Sequence, residues 1–451
     1  MVSRLLIAAC IAPGLAGCSL IADSFLTNDF SGDAFPTTVD TASGALLVGI
    51  RPGDETAPKR AVLDLLSPFT LVDPLRNVDP SLRQIDVELL GRDPVAGTLT
   101  LPRARFPDVQ LITLHPCVTT PDAMGNLPNC SVGTQSDPQL IDAVLGADAL
   151  AGDAVRLRLA DNEIFVLADV GGDDAGRSLS CDAVFNAPYR GGGTLVIAGS
   201  ELPFVNRRIT LSACLGPDPD PGAQAPKPTQ RGADALFVVS TGIGISILGE
   251  TAYERYRLAA GDPAALPVAS LPIGAVYMPS GLVTGHLGAI NRLSLVGAAI
   301  SNGLSPCRQI YAHHELADGP VAQAPSGMTC SDVTGGDCPC KDGTSTCTVP
   351  AIFELTPPAP GVAVLVVPDS NPTLQALRTE LRPDQAEVDG VLGTDLLRSA
   401  EIDVDYPHDR LLARCTGPGC LARPQMTNVS RDRCAINHCI YGDTDNIGCA
   451  N

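Results

Sequence analysis

The sequence predicts a mainly β protein, built as two homologous β lobes with short helices. Three observations carry this reading. Apolar runs are short, rich in Val, Leu and Thr, and broken by turn residues, with 44 Gly and 39 Pro in 451 residues. Stretches with a 3.6-residue hydrophobic period are scarce. A pair of motifs occurs twice, in the same order, far apart in the chain.

The strands are legible one by one. Gly97 to Leu101, Val109 to Leu114 and Gly361 to Val367 are apolar runs of strand length bounded by turn residues. Leu374 to Leu381 and Thr251 to Ala260 are the best short helices. The clearest repeat is Ala143-Val144-Leu145-Gly146-Ala147-Asp148-Ala149-Leu150, which returns as Gly390-Val391-Leu392-Gly393-Thr394-Asp395-Leu396-Leu397. An alternating strand follows each copy, from Val155 and from Ile402, and then a turn and a further strand from Ile164 and from Leu411. Upstream, Val39-Asp40-Thr41-Ala42 is matched with Val239-Ser240-Thr241-Gly242. Gly216-Pro217-Asp218-Pro219-Asp220-Pro221 forbids a central strand and reads as an extended linker. The expected plan is therefore a first lobe over 35–215, a linker over 216–233, a second lobe over 234–415 with a Cys-rich insertion at about 307–347, and a Cys-rich tail over 416–451.

The first residues carry an address. Arg4 supplies a positive charge, and Leu5 to Leu15 form an apolar run about half as long as the roughly 20 residues that span a bilayer. This reads as a secretory signal over 1–17, with 18–34 as a tether. Leu15-Ala16-Gly17-Cys18 resembles the lipobox of bacterial lipoproteins. That resemblance implies cleavage before Cys18, acylation of its sulfur, and a lipid membrane as partner. Two or more acyl chains give stable anchoring. Ser19 follows, which by the same resemblance points to the outer membrane of a bacterial envelope.

Setting aside Cys10 in the signal and Cys18 leaves fourteen of the 16 Cys, an even number that suggests disulfides in an oxidising compartment. Proximity suggests Cys117 with Cys130 and Cys181 with Cys214. Cys338-Pro339-Cys340 lacks the paired knuckles of a zinc site, and adjacent His313-His314 would point apart in a strand, so no metal or other cofactor is expected. The net charge of −20, the absence of Trp and the lack of a basic stripe exclude nucleic acid as a partner.

A strand, then Asp40-Thr41-Ala42 or Ser240-Thr241-Gly242, and later two apolar residues and a Gly, resemble the twice-repeated strand, Asp-Thr-Gly and apolar-apolar-Gly pattern of the pepsin and retropepsin superfamily of aspartic peptidases. The resemblance covers roughly Phe35 to Cys415. It implies a bilobal pepsin-like fold in which two carboxylates, one per lobe, share a proton and activate a water. Carried over residue by residue, it implies Asp40 as the first catalytic Asp, with Ser240 standing where the second is expected. It implies Thr41, Thr241 and Gly242 as the interlocking loop residues, and Leu145, Gly146, Leu392 and Gly393 as the segments packed beneath them. Ala42 stands where Gly is expected. With one carboxylate missing, the expectation is a non-catalytic module that holds an extended peptide or a protein between its lobes. The alternative is an active endopeptidase working through an Asp40-bound water and an unorthodox dyad.

Overall fold

The computed structural model describes residues 34–40, 43–53, 55–72, 81–92, 99–113, 142–167, 183–186, 188–197, 199–216, 232–260, 266–278, 281–297, 306–307, 346–349, 351–355, 361–382, 387–417, 419–423 and 426–430. The protein is mainly β, as its short turn-bounded apolar runs require.

The first half holds β1 (Ala34–Pro36), β2 (Thr38–Val39), β3 (Leu46–Pro52), β4 (Lys59–Leu63), β5 (Leu71–Val72), β6 (Ser81–Arg92), β7 (Leu99–Thr113), β8 (Ala143–Leu145), β9 (Ala154–Arg158) and β10 (Glu163–Leu167). The second holds β11 (Ala183–Asn186), β12 (Tyr189–Ile197), β13 (Ser200–Gly216), β14 (Ala233–Val239), β15 (Ser246–Gly249), β16 (Ile273–Met278), β17 (Gly281–Ile290), β18 (Arg292–Val296), β19 (Thr346–Val349), β20 (Ile352–Leu355), β21 (Val362–Val367), β22 (Gly390–Leu392), β23 (Ala400–Asp405), β24 (Arg410–Cys415), β25 (Cys420–Arg423) and β26 (Met426–Ser430). Helices α1 (Ala147–Leu150), α2 (Glu250–Ala260), α3 (Pro372–Leu381) and α4 (Thr394–Leu397) are short. The two longest cover the stretches whose period suggested helix. In α3 the Asn371 side chain accepts from the Thr373 and Leu374 N–H groups, Pro372 opens the first turn, and Leu374, Leu377 and Leu381 fill the buried face.

The halves repeat one pairing scheme. In the first, β4 runs parallel to β8, β8 antiparallel to β5, and β5 parallel to β7. In the second, β14 runs parallel to β22, β22 antiparallel to β15, and β15 parallel to β21. Parallel strands cannot be joined by a tight hairpin, so each half carries long excursions between them. A six-stranded sheet, ordered β1-β10-β9-β23-β24-β11, takes three strands from each half. Its centre is the β9–β23 pair, where Arg156 lies opposite Asp403 and bonds it at 2.9 Å. Arg158 lies opposite Glu401. The main apolar core draws on both halves, with Phe35, Phe106, Phe185, Phe237 and Phe353 almost fully buried.

Two expectations about the layout are corrected. The Pro-rich segment over 216–233 does not join the halves. It links the end of β13 to the start of β14, two strands that pair with each other from Leu215 opposite Ala233 onward. The second copy opens earlier, at β11, which pairs with β24 as β1 pairs with β10. Proline excludes a central strand without saying what the break separates, so a loop inside one sheet has the same composition as a linker. Cys214 bonds Cys307, not Cys181. Nearness in sequence does not decide the pairing, because β13 lies beside β18, which brings a distant segment close. Cys415 bonds Cys420, and β25 pairs with β20, so the start of the tail folds back onto the body. The signal and tether at 1–33, Cys117, Cys130, the paired His and most of the Cys-rich insertion and tail lie outside the described residues.

Candidate functional site

The site forms where β4 and β14 end side by side. Each strand is held by its parallel partner through the same bond: the Asp64 N–H donates to Leu145 O (3.0 Å), and the Ser240 N–H donates to Leu392 O (2.9 Å). The register is equally symmetric, with Val62 opposite Val144 and Val238 opposite Val391. The residue equivalent to Ser240 is therefore Asp64, at a separation of 176, and not Asp40. The two side chains meet. The Ser240 hydroxyl donates to Asp64 Oδ1 at 2.8 Å. The Leu66 N–H donates to the same oxygen at 2.9 Å. The Gly242 N–H points between Asp64 Oδ1 (3.3 Å) and Ser240 Oγ (3.1 Å). Asp64 is 3 % exposed and Ser240 and Thr241 are fully buried. Burial pushes the Asp64 carboxyl above its ordinary range, against the pull of the Leu66 N–H, the Ser240 hydroxyl, Arg208 and the Gly242 N–H.

Thr241 ties the two loops together. Its hydroxyl donates to Leu63 O at 2.6 Å and accepts from the Leu65 N–H at 3.2 Å. The equivalent position in the first loop is Leu65, which has no hydroxyl to return the bond. Leu65 instead faces a small apolar cavity shared with Val239, Phe185, Leu397 and Ile402. Gly242 is required by closeness: a Cβ there would lie 2.7 Å from the Asp64 carboxyl carbon.

The two Leu-Gly segments are placed alike. Leu145 and Leu392 are buried. The Gly146 N–H donates to Thr70 Oγ1 (3.2 Å) and the Gly393 N–H to Ser246 Oγ (2.9 Å), again 176 apart in the accepting loop. A Cβ on Gly146 would sit 2.3 Å from Phe69 O, and one on Gly393 2.3 Å from Gly244 O.

Asp40 stands elsewhere, in the tip of the β2–β3 hairpin. Its Oδ2 accepts from the Ser43 N–H (2.7 Å) and the Ser43 hydroxyl (2.6 Å), so it closes a turn. That tip nevertheless docks on the second loop. The Leu46 N–H donates to Thr241 O, the Gly244 N–H to Ser43 O, and the Thr394 hydroxyl to Gly44 O. Thr41 and Ala42 lie outside the described residues, as does Cys18. Three other carboxylates of the second loop's surroundings and the repeat are engaged or exposed elsewhere: Asp148 accepts from Thr70 Oγ1, Asp234 accepts from the Cys307 N–H, and Asp395 is exposed beside Arg398.

Asp64 escapes a reading of the sequence because Asp40-Thr41 imitates the expected dipeptide. The signal is present at another offset. Val62-Leu63-Asp64 and Val238-Val239-Ser240 end equivalent strands, and Thr70 and Ser246 keep the same spacing behind them.

No family model matches the sequence, and no curated protein matches it. Among solved structures, an aspartic proteinase from Irpex lacteus is similar over 85 % of this chain and 97 % of its own, at 12 % identity and a TM-score of 0.34.

Proposed function

We propose that this chain is a non-catalytic, aspartic-peptidase-like module that binds an extended peptide or a protein at the cell envelope. One observation carries the reading: Asp64 and Ser240 end equivalent strands in the two halves and are joined by a hydrogen bond of 2.8 Å. Carboxylate-pair hydrolysis needs one group to take a proton from water while the other, protonated, polarises the carbonyl. A serine hydroxyl stays protonated at ordinary pH. It can donate to Asp64 but cannot share a titrating proton with it. Loss of one essential group costs several powers of ten in rate. A scaffold without the chemistry still offers strand edges to an extended peptide, which is a general mode of peptide capture. The Leu15-Ala16-Gly17-Cys18 pattern supports attachment through lipid on Cys18, on the outer membrane.

The test is peptidase activity of the purified chain on denatured protein at acid and neutral pH, beside Asp64→Asn. No cleavage above background is expected from either. Cleavage by the wild type that Asp64→Asn abolishes would overturn the proposal in favour of an active endopeptidase. For the anchor, Cys18→Ser is expected to release the chain from membranes, and unchanged retention refutes lipidation.

A further inference from the structure

We propose that β16 pairs antiparallel with β16 of a second copy of this chain, joining two molecules through one continuous sheet. Among the described residues, β16 is the terminal strand of the eleven-stranded sheet and pairs only with β17. Its ladder tells which main-chain groups β17 pairs and which it does not. The Leu287 N–H donates to Pro272 O, so residues 272 and 287 form a hydrogen-bonded pair. Hydrogen-bonded and non-hydrogen-bonded pairs alternate in an antiparallel ladder. Gly274, Val276 and Met278 therefore turn their main-chain groups toward β17. Ile273, Ala275 and residue 277 turn theirs toward the open edge.

Open edges are normally blunted by charge, by proline within the strand or by a bulge. This one carries no charge, and its prolines, Pro272 and Pro279, stand only at its two ends, so the N–H groups of 273, 275 and 277 remain. Between Asp262 and Arg292 no Asp, Glu, Lys or Arg occurs, although the chain as a whole is 18 % charged. Large apolar side chains stand exposed on the same face, Ile273 at 82 % and Leu282, on the neighbouring strand, at 54 %.

The occupant follows from hydrogen bonding and charge. A lipid surface would leave the edge N–H and C=O groups unsatisfied, whereas a strand satisfies them. With a net charge of −20, two copies repel over most of their surfaces. The charge-free hairpin is where that repulsion is least. Antiparallel pairing centred on Ala275 is its own two-fold mate, so the contact closes at two copies. A six-residue strand pair falls short of the roughly 1,600 Å² of a standard interface, so the dimer is weak and concentration-dependent.

Sedimentation equilibrium tests this on the full chain carrying Cys18→Ser, so that lipid does not drive association. The wild-type edge is expected to take the average mass from one copy toward two between about 1 and 100 μM. Raising salt from about 0.05 to 0.5 M should tighten association several-fold by screening the acidic bodies. Ala275→Pro removes an outward N–H, and Ile273→Lys adds charge at an exposed position; both should stay at the mass of one copy with an unchanged melting temperature. If Ala275→Pro fails to fold, Ile273→Lys decides alone. A wild-type chain that stays single throughout, one that grows beyond two copies, or a folded Ile273→Lys variant that still pairs would overturn the proposal.

Discussion

The loops over 64–70 and 240–246 share one backbone scheme and carry different chemistry. Both leave a strand held by a parallel neighbour, both accept a glycine N–H on a hydroxyl (Thr70 or Ser246), and both pass above a glycine that no Cβ could replace. The first presents a carboxylate and then two leucines. The second presents a hydroxyl, a cross-linking Thr241 and Gly242. The backbone scheme is set by strand pairing and small residues underneath, so it survives exchange of the residues that face each other. What the exchange alters is the proton inventory of the pair and the number of bonds that cross between the halves.

The hairpin tips make the sharpest break in this comparison. The β2–β3 tip lies on the second loop so closely that a Cβ on Gly44, which has φ +71°, would approach Gly244 Cα to 2.4 Å. The β12–β13 tip has Gly199 at φ +81°, and a methyl added there would meet nothing within 4 Å. Gly44→Ala therefore adds a backbone collision to left-handed strain and is expected to cost more than about 3 kcal/mol. Gly199→Ala bears the strain alone, about 1 kcal/mol. Denaturant melts of the two variants check the contrast, and equal losses would mean that the first tip is not seated as described.

Thr241 comes next. Thr241→Val keeps the shape but leaves Leu63 O and the Leu65 N–H without their partner in a buried place. At roughly 1–3 kcal/mol for each of the two stranded groups, the loss should be about 2–6 kcal/mol. Thr241→Ser retains the hydroxyl and should recover most of it. If Val and Ser variants melt alike, the one-sided tie contributes nothing.

Asp64→Asn addresses the carboxylate itself. Burial raises the folded-state pKa of Asp64 above the unfolded value near 3.8. Below the unfolded value both states are protonated and the site costs nothing. Above it the unfolded chain gives up its proton first, so stability falls as pH rises and levels off once pH passes the folded-state value and the buried charge has formed. The Asn variant has no such charge and can still accept from Ser240. It should match the wild type in acid and exceed it at neutral pH, the gap opening as pH rises above the unfolded-state value. Equal stability at neutral pH would mean that the carboxylate is solvated in the folded protein.

The halves differ in how much of them is legible in the sequence. The repeated Val-Leu-Gly and Val-Leu-Gly-Thr-Asp segments are legible because small and apolar residues must recur wherever a strand packs beneath a tight loop. The two longer helices are legible from their period and the Asn371-Pro372 start. The partner of Ser240 is not, because strand register decides it and short apolar strands before an Asp occur at both Val39 and Leu63. Only the pairing of β4 with β8 selects Asp64. The Cys214–Cys307 bond is hidden for the same reason, since their separation of 93 residues is closed by β13 lying beside β18.

The smallest expected effect separates the two aspartates that follow the packing glycines. Asp395 has a side chain 62 % exposed beside Arg398, at 3.6 Å. Asp148 accepts from Thr70 at 2.8 Å, and its other carboxylate oxygen is enclosed without a partner. Burial pushes Asp148 up to about 6, against the Thr70 and Ala149 hydrogen bonds and Arg207. The wild type should therefore lose stability as pH rises from about 4 to 6, because the folded state gives up this proton later than the unfolded one. The residue is only half-buried, so solvent screens the penalty to about 1 kcal/mol. Asp148→Asn should flatten that part of the stability profile, while Asp395→Asn stays within about 0.5 kcal/mol of the wild type at every pH. Identical profiles for the two variants would show that the halves enclose their repeated aspartates equally, and that the asymmetry of the loops ends at Asp64 and Ser240.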